Sequence, residues 1–180
     1  QRALLSCPSL ETDSNVPLEG SGFDVAIRGR VQDLDDSSYK ARKIGQLQLC
    51  LFAAPSYAAA RPHATSFTDL SNWDWVRARP IPWSRVVGTE TVQKPRIVVT
   101  ADNYTLARRY VENGLGFMVE AYELVAEDIR EGRLVQLLPD IKLPQIDIYA
   151  IYPANSPKDS LAHLFVDHIS ANRGFRLEQI

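Results

Sequence analysis

Three histidines, His63, His163 and His168, and two cysteines, Cys7 and Cys50, are the side chains of this 180-residue chain best suited to hold a metal or to pair a nucleophile with a base. Their spacing argues against both roles. His163 and His168 fall five residues apart on one expected helix and so face different ways, whereas a helical zinc pair stands four apart. The cysteines fit no metal spacing, and Cys50 lies in the apolar run Leu47 to Ala54, where a buried free thiol is expected. The carboxylates Asp35 and Asp36 precede Ser37 and Ser38 in a segment that reads as a solvated turn rather than an acid–base pair. No G-x-S-x-G elbow, phosphate loop or dinucleotide glycine fingerprint occurs, and Gly114-Leu115-Gly116 is too short to serve as one. The expectation is a protein that is not an enzyme, with no metal and no cofactor.

Binding chemistry has more to build on. Arg28 and Gly29 close a strand-like run, and ligands of open α/β sheets collect beyond the carboxyl ends of strands. Ser14-Asn15 and Ala101-Asp102-Asn103 each follow a strand-like run and open a helix. Helix starts present unpaired backbone N–H groups and the positive end of the dipole, which suit a carboxylate or phosphate. Together with Arg28 they point to a small anionic or polar ligand, although Asp102 or Asn103 also suits the simpler role of capping its own helix.

The elements that must position these groups alternate along the chain. Strand-like segments run over Leu10 to Ser14, Phe23 to Arg28, Lys40 to Ala53, Arg96 to Thr100, Gly116 to Val119, Leu134 to Leu138 and Ile146 to Tyr152. Helix-like segments between them predict an α/β fold with largely parallel strands. The helix from about Asn103 to Asn113 turns Leu106, Ala107, Tyr110 and Val111 inward and is closed by Gly114. The next, Ala121 to Arg130, buries Leu124, Val125 and Ile129 and stops at Gly132. The last begins at a capping-box-like Ser156-Pro157-Lys158-Asp159 and places Leu161, Leu164, Phe165, His168 and Ile169 on one docking face, which makes His168 a packing residue and leaves His163 to solvent. Phe67 to Val92 shows poor periodicity and is read as a short helix around Thr68 to Asn72 followed by irregular strands, with Trp73, Trp75 and Trp83 as core.

A hydrophobic fraction of 45% at this length fits one domain, or two small lobes sharing a chain. A net charge of −2 argues against a dedicated nucleic-acid surface. No apolar run approaches the roughly 18 residues that span a bilayer, and Gln1 onward lacks a signal-peptide layout, so no membrane association and a reduced, cytoplasmic setting are expected.

One series of motifs goes further. Gly22-Phe23-Asp24-Val25-Ala26-Ile27-Arg28-Gly29, then Asp36-Ser37-Ser38 and Ala41-Arg42-Lys43-Ile44-Gly45, resembles the GFDVAIR…DSS…AR.LG signature of the effector-binding domain of LysR-type transcriptional regulators. Leu51 to Tyr57 resembles that family's "L.ASP.Y" hinge and turn, and Phe67 to Leu70 its "P.DL" helix. Val99 to Asn103, Gly114 to Gly116, Leu124 to Asp128, Gly132 to Val135, Leu138-Pro139, Ile148 to Pro153 and Phe165 to Asp167 follow in family order, so the resemblance covers nearly the whole chain.

The resemblance implies a two-lobed, type 2 periplasmic-binding-protein-like α/β fold with two hinge-strand crossings. One lobe would hold residues 1–53 and 146–180 and the other residues 54–145, with the start of the first lobe and a winged helix-turn-helix DNA-binding domain absent from the chain. It further implies a ligand site at Ser14, Asn15, Arg28, Gly29, Ala54, Pro55, Thr100, Ala101, Asp102, Asn103, Gly116 and Phe117. The expected partners are a small-molecule effector, a second or further copies in a homo-dimer or tetramer, and DNA through the missing domain only. Arg28-Gly29-Arg30 departs from the family's "RIG", and Glu120-Ala121 stands where many members have Leu-Pro. A solute-binding protein of a transport system shares the architecture and is the alternative expectation; an enzyme on the same scaffold comes last.

Overall fold

The strand β2 (Tyr39–Ala53) carries two patterns in one element. Its first part is rich in charged and polar side chains and lies exposed or half-buried, whereas Leu49, Cys50, Leu51, Phe52 and Ala53 are all buried. A run buried on both faces needs layers above and below it, and an alternating, half-exposed run needs one. The computed structural model, which describes residues 22–29, 38–78, 82–88, 91–157 and 159–171, shows that arrangement.

From Tyr39 to Gln48, β2 pairs antiparallel with β7 (Gln145–Pro153), with a register shift between Lys43 and Gly45. The other edge of β7 pairs antiparallel with β1 (Ala26–Arg28). From Leu49 onward β2 changes partners, lying antiparallel to β5 (Phe117–Ala121) and to β6 (Val135–Leu137). Beyond β5 come β3 (Asp74–Ala78) and β4 (Arg96–Ala101), both parallel to it, giving the order β1-β7-β2-β5-β3-β4 with β6 also on β2.

The α/β class is as expected; the strand directions are not. Four of the six pairings among the described residues are antiparallel. Only β3, β4 and β5 are joined by crossovers long enough to bring the chain back in the same direction, whereas β2 enters their sheet running against β5. The expected strand Leu10 to Ser14 lies outside the described residues.

Helices α1 (Pro55–Ala59), α2 (Trp83–Val87), α3 (Tyr104–Glu112), α4 (Tyr122–Arg130) and α5 (Leu161–Ala171), with a 3-10 turn at Asp69–Asn72, complete the fold. Helix α2 stands where irregular strands were expected; Pro82 leads into it and Gly88 closes it at φ 73°. On one face of the second sheet Trp75 and Phe117 pack with Trp73, Trp83 and Tyr57 through edge-on and tilted ring contacts, so the tryptophans are core. On the other face Cys50, Phe52, Val76 and Met118 meet Ala107 and Val111 of α3 and Val125 of α4.

The long apolar side chains of these helices point outward more than the periodicity predicts. Leu106 and Leu124 are exposed, while Ala107, Val111 and Val125 are buried with Tyr110 and Ile129 packed against them, and α4 also buries Asp128, paired with Arg108 and Arg133. Helix α5 shows the same preference. It buries Ala162, Val166 and Ile169 against Ala150 and Tyr152, while Leu161 (58% exposed), Leu164 (55%) and Phe165 (37%) face out. Ser160, rather than Ser156, offers its hydroxyl to the first turn, accepting from the His163 N–H at 3.4 Å. The two histidines exchange their expected places: the His163 ring packs edge-on against Tyr152 at 4.9 Å, and His168 is exposed. Among the described residues no helix is long and apolar enough to cross a membrane.

Candidate functional site

Strand direction decides which loops share an end of a sheet. Because β3, β4 and β5 run together, their carboxyl ends at Ala78, Ala101 and Ala121 lie on one side. Strand β2 runs the other way, so Leu49 rather than Ala53 stands there, opposite Ala121. The chain leaves β4 into α3 and β5 into α4 at this end, so two nine-residue helices start beside the point where β2 crosses between the sheets.

Thr100, Ala101, Asp102 and Asn103 belong to that end. Thr100 is exposed, and its Oγ1 accepts from the Arg77 guanidinium at 3.3 Å. Ala101 is buried; Asp102 is exposed; Asn103 caps α3 by accepting from the Leu106 N–H at 2.9 Å. Helix α4 has no side-chain cap at Ala121, and the first-turn carboxylate of Glu123 instead accepts from the Gln48 N–H at 3.2 and 3.3 Å.

The crossing is held by three further bonds from one short stretch. Gln48 Nε2 donates to the Leu143 carbonyl at 2.6 Å and to the Pro144 carbonyl at 3.5 Å, and the Leu49 N–H donates to the Pro144 carbonyl at 3.2 Å. From the first sheet, β1 runs parallel to the opening part of β2, so Arg28 and Gly29 head toward this crossing. Gly29 lies over β7, where a Cβ would come within 3.2 Å of the Ile146 side chain.

Four expected site residues are not brought there. Ala53 pairs with Phe117, so Ala54, Pro55, Gly116 and Phe117 occupy the opposite end of the sheet, about 15 Å away along strands of this length. Ala54, Gly116 and Phe117 are buried, and a Cβ at Gly116 would collide with the Asp74 carbonyl oxygen. The resemblance implied these residues together with Thr100 to Asn103, and the antiparallel entry of β2 sets the two groups at opposite ends of one sheet. Ser14 and Asn15 lie outside the described residues.

That opposite end is a structural knot. Asp74 accepts from Arg61 at 2.8 Å, from the Arg96 guanidinium and from the Tyr57 hydroxyl at 3.3 Å, while Arg61 stacks over the Tyr57 ring at 3.4 Å. Burial pushes the Asp74 carboxyl up, but the Arg96 hydrogen bond and the charges of Arg96 and Arg61 outweigh it and hold the group below the usual carboxylate range.

Sequence reasoning missed Arg77, Gln48 and Glu123. Arg77 lies level with Thr100 on β3, and its Nε is buried without a hydrogen-bond partner among the described residues. No periodicity marked it, because its segment mixes tryptophans, prolines and arginines. Gln48 carried a signal in hindsight: it is the last polar residue before the fully buried run of β2. Cys50, next along, is no nucleophile: burial, with the Glu120 and Glu123 charges, pushes its thiol up to about 12. Among the described residues no group of histidine, cysteine and carboxylate side chains could hold a metal. This end brings together two helix N-termini and the Arg77 guanidinium, with the carboxylates of Asp102 and Glu123 beside them.

The model of the LysR substrate binding domain matches residues 9–173. The HTH-type transcriptional regulator PtxR of Pseudomonas aeruginosa is 33% identical, over 94% of this chain and 56% of its own length. Among solved structures, the regulatory domain of AphB from Vibrio vulnificus superposes with a TM-score of 0.63 at 30% identity, covering 83% of this chain and 75% of that one. The regulatory domain of CrgA, a LysR-type transcriptional regulator of Neisseria meningitidis, gives a TM-score of 0.67 at 25% identity, covering 84% and 76%. The chain spans about half the length of the curated relatives it matches. These relatives are transcriptional regulators, not transport proteins or enzymes, which sets the solute-binding alternative aside.

Proposed function

The chain belongs to the LysR substrate-binding domain family, and from that premise we propose that it is the effector-sensing part of a transcriptional regulator, taking a small anionic metabolite between two lobes. The lobes are residues 1–53 with 146–180, and residues 54–145. The site draws on Thr100, Asp102, Asn103 and Arg77 from the second lobe and on Arg28 and Gly29 from the first. Its regulator works in the cytoplasm as a homo-oligomer and reaches DNA through a separate domain.

The observation that carries this reading is the shared end: the starts of α3 and α4, the Arg77–Thr100 pair and the crossing at Gln48 and Leu49 all lie at the side toward which β1 directs Arg28. Helix starts and a guanidinium favour a carboxylate or phosphate there. Such a ligand acts as a switch only by preferring one arrangement of the lobes over another.

A thermal-shift screen of small mono- and dicarboxylates and phosphate esters against the chain tests it. At least one compound should give a saturable rise in Tm, and Arg77→Gln with Thr100→Val should abolish that rise while the ligand-free protein stays folded. A screen without any stabilising compound, or a double variant that responds like the wild type, counts against the proposed site.

A further inference from the structure

A cavity of about 420 Å³ opens between α2 and the segment leading into β7 and shares no residue with the cleft proposed above. Phe67, Val86 and Val87 form one side of it, and Lys142, Leu143 and Gln145 the other. Its size lies within the range of small-ligand sites, about 300 to 1,000 Å³, and well above what one water requires. Its walls are mostly apolar, with Val86 and Leu143 buried, so an apolar body would be well received.

Two polar side chains, Gln145 and Lys142, break that apolar lining, and one of them is charged. Lys142 contributes an ammonium group that has no ion-pair partner among the described residues. A single cation against an apolar wall suits a single carboxylate, through a charge-assisted hydrogen bond. It does not suit a phosphate or a dicarboxylate, whose second charge would be removed from water without compensation.

The segment that forms this wall also holds the crossing, since the Leu143 and Pro144 carbonyls accept from Gln48 and Leu49. We infer that this cavity is a second binding site, for an amphiphilic monocarboxylate with an apolar body of about six to ten carbons, whose occupancy bears on the strut between the two sheets. The site is independent of the cleft reading and survives if that reading fails.

The test titrates octanoate, benzoate and the neutral control octanol into the 180-residue chain, followed by calorimetry and by tryptophan fluorescence. Trp83 stacks edge-on against Phe67 with centroids 6.1 Å apart and reports on the cavity wall. Octanoate should bind saturably. Lys142→Gln, an exposed substitution that leaves the core untouched, should weaken octanoate by about tenfold or more and leave octanol unchanged, because about one charge-assisted contact is lost. Val87→Trp, which fills the cavity, should abolish both, with circular dichroism confirming that the variant is folded. Arg77→Gln with Thr100→Val should leave octanoate affinity as it was. Absence of saturable octanoate binding overturns the inference. So does octanoate binding that is unchanged by both Lys142→Gln and Val87→Trp, or that is lost in the Arg77 and Thr100 variant instead.

Discussion

The two sheets joined by β2 are built to different standards. The second is closed on both faces, with the aromatic cluster of Trp73, Trp75, Trp83 and Phe117 on one side and α3 and α4 on the other. The first, among the described residues, rests on the β2–β7 ladder and one helix, and its buried cluster consists of Ala150, Tyr152, Ala162, Val166 and Ile169. Among the described residues, packing on both faces marks the second sheet and backbone pairing the first. Side chains anchored at the ends of the closely packed sheet are held in fixed positions by its two layers.

Several substitutions break or sharpen that contrast. Trp75→Ala, in the aromatic face, should cost about 3–5 kcal/mol of unfolding free energy in a denaturant titration. Gly116→Ala, at the knot end, forces a Cβ against the Asp74 backbone and should cost about 1–3 kcal/mol. Val166→Ala in α5 should cost roughly 2 kcal/mol or less, since the lighter cluster gives up fewer contacts. A loss equal to that of Trp75→Ala would erase the distinction between the sheets.

The Asp74 knot predicts a pH signature in the second sheet. The folded carboxyl titrates below its ordinary value of about 4, so the stability it contributes is complete above that pH and is lost as pH falls through the folded value. Asp74→Asn should lower stability at neutral pH and flatten the decline on acidification, measured by urea titrations across that range. The smallest expected effect concerns Cys50, whose thiol stays protonated and covered at neutral pH; Ellman's reagent should modify it only as fast as the second sheet opens.

Much of this architecture was legible in the residues. The long run Lys40 to Ala53 announced a strand with a polar half and a buried half, and the motif order from Gly22 to Asp167 announced the family. The tryptophans read correctly as core because bulky rings at near-alternate spacing suit a packed sheet. Strand polarity was not legible, since alternation of apolar residues carries no direction. Ala54, Pro55, Gly116 and Phe117, which the family resemblance implied as site residues, lie at the end of the second sheet away from the crossing, and Thr100 to Asn103 lie at the crossing end. Arg77 escaped notice for a related reason: its role depends on standing level with Thr100 across two strands, which only the register reveals. In α3 and α4 the periodicity named the face as well as the helix, with Ala107, Tyr110, Val111, Val125 and Ile129 turned to the sheet and only Leu106 and Leu124 left out, whereas in α5 it named the helix but, apart from Ile169, not the face.

An unbroken strand shared by two sheets also limits how they can move. Sliding one sheet past the other would shear the β2–β7 and β2–β5 ladders at once, and pulling them apart would stretch a backbone that is already extended. The inexpensive coordinate left is torsion about β2 itself, near Gln48 and Leu49, where the ladder changes partners. A twist of a few degrees there grows with distance from the axis and, among the described residues, is largest at strands β1 and β4. A ligand seated beside the crossing, as proposed above, would thereby be read out as an angle between those two strands.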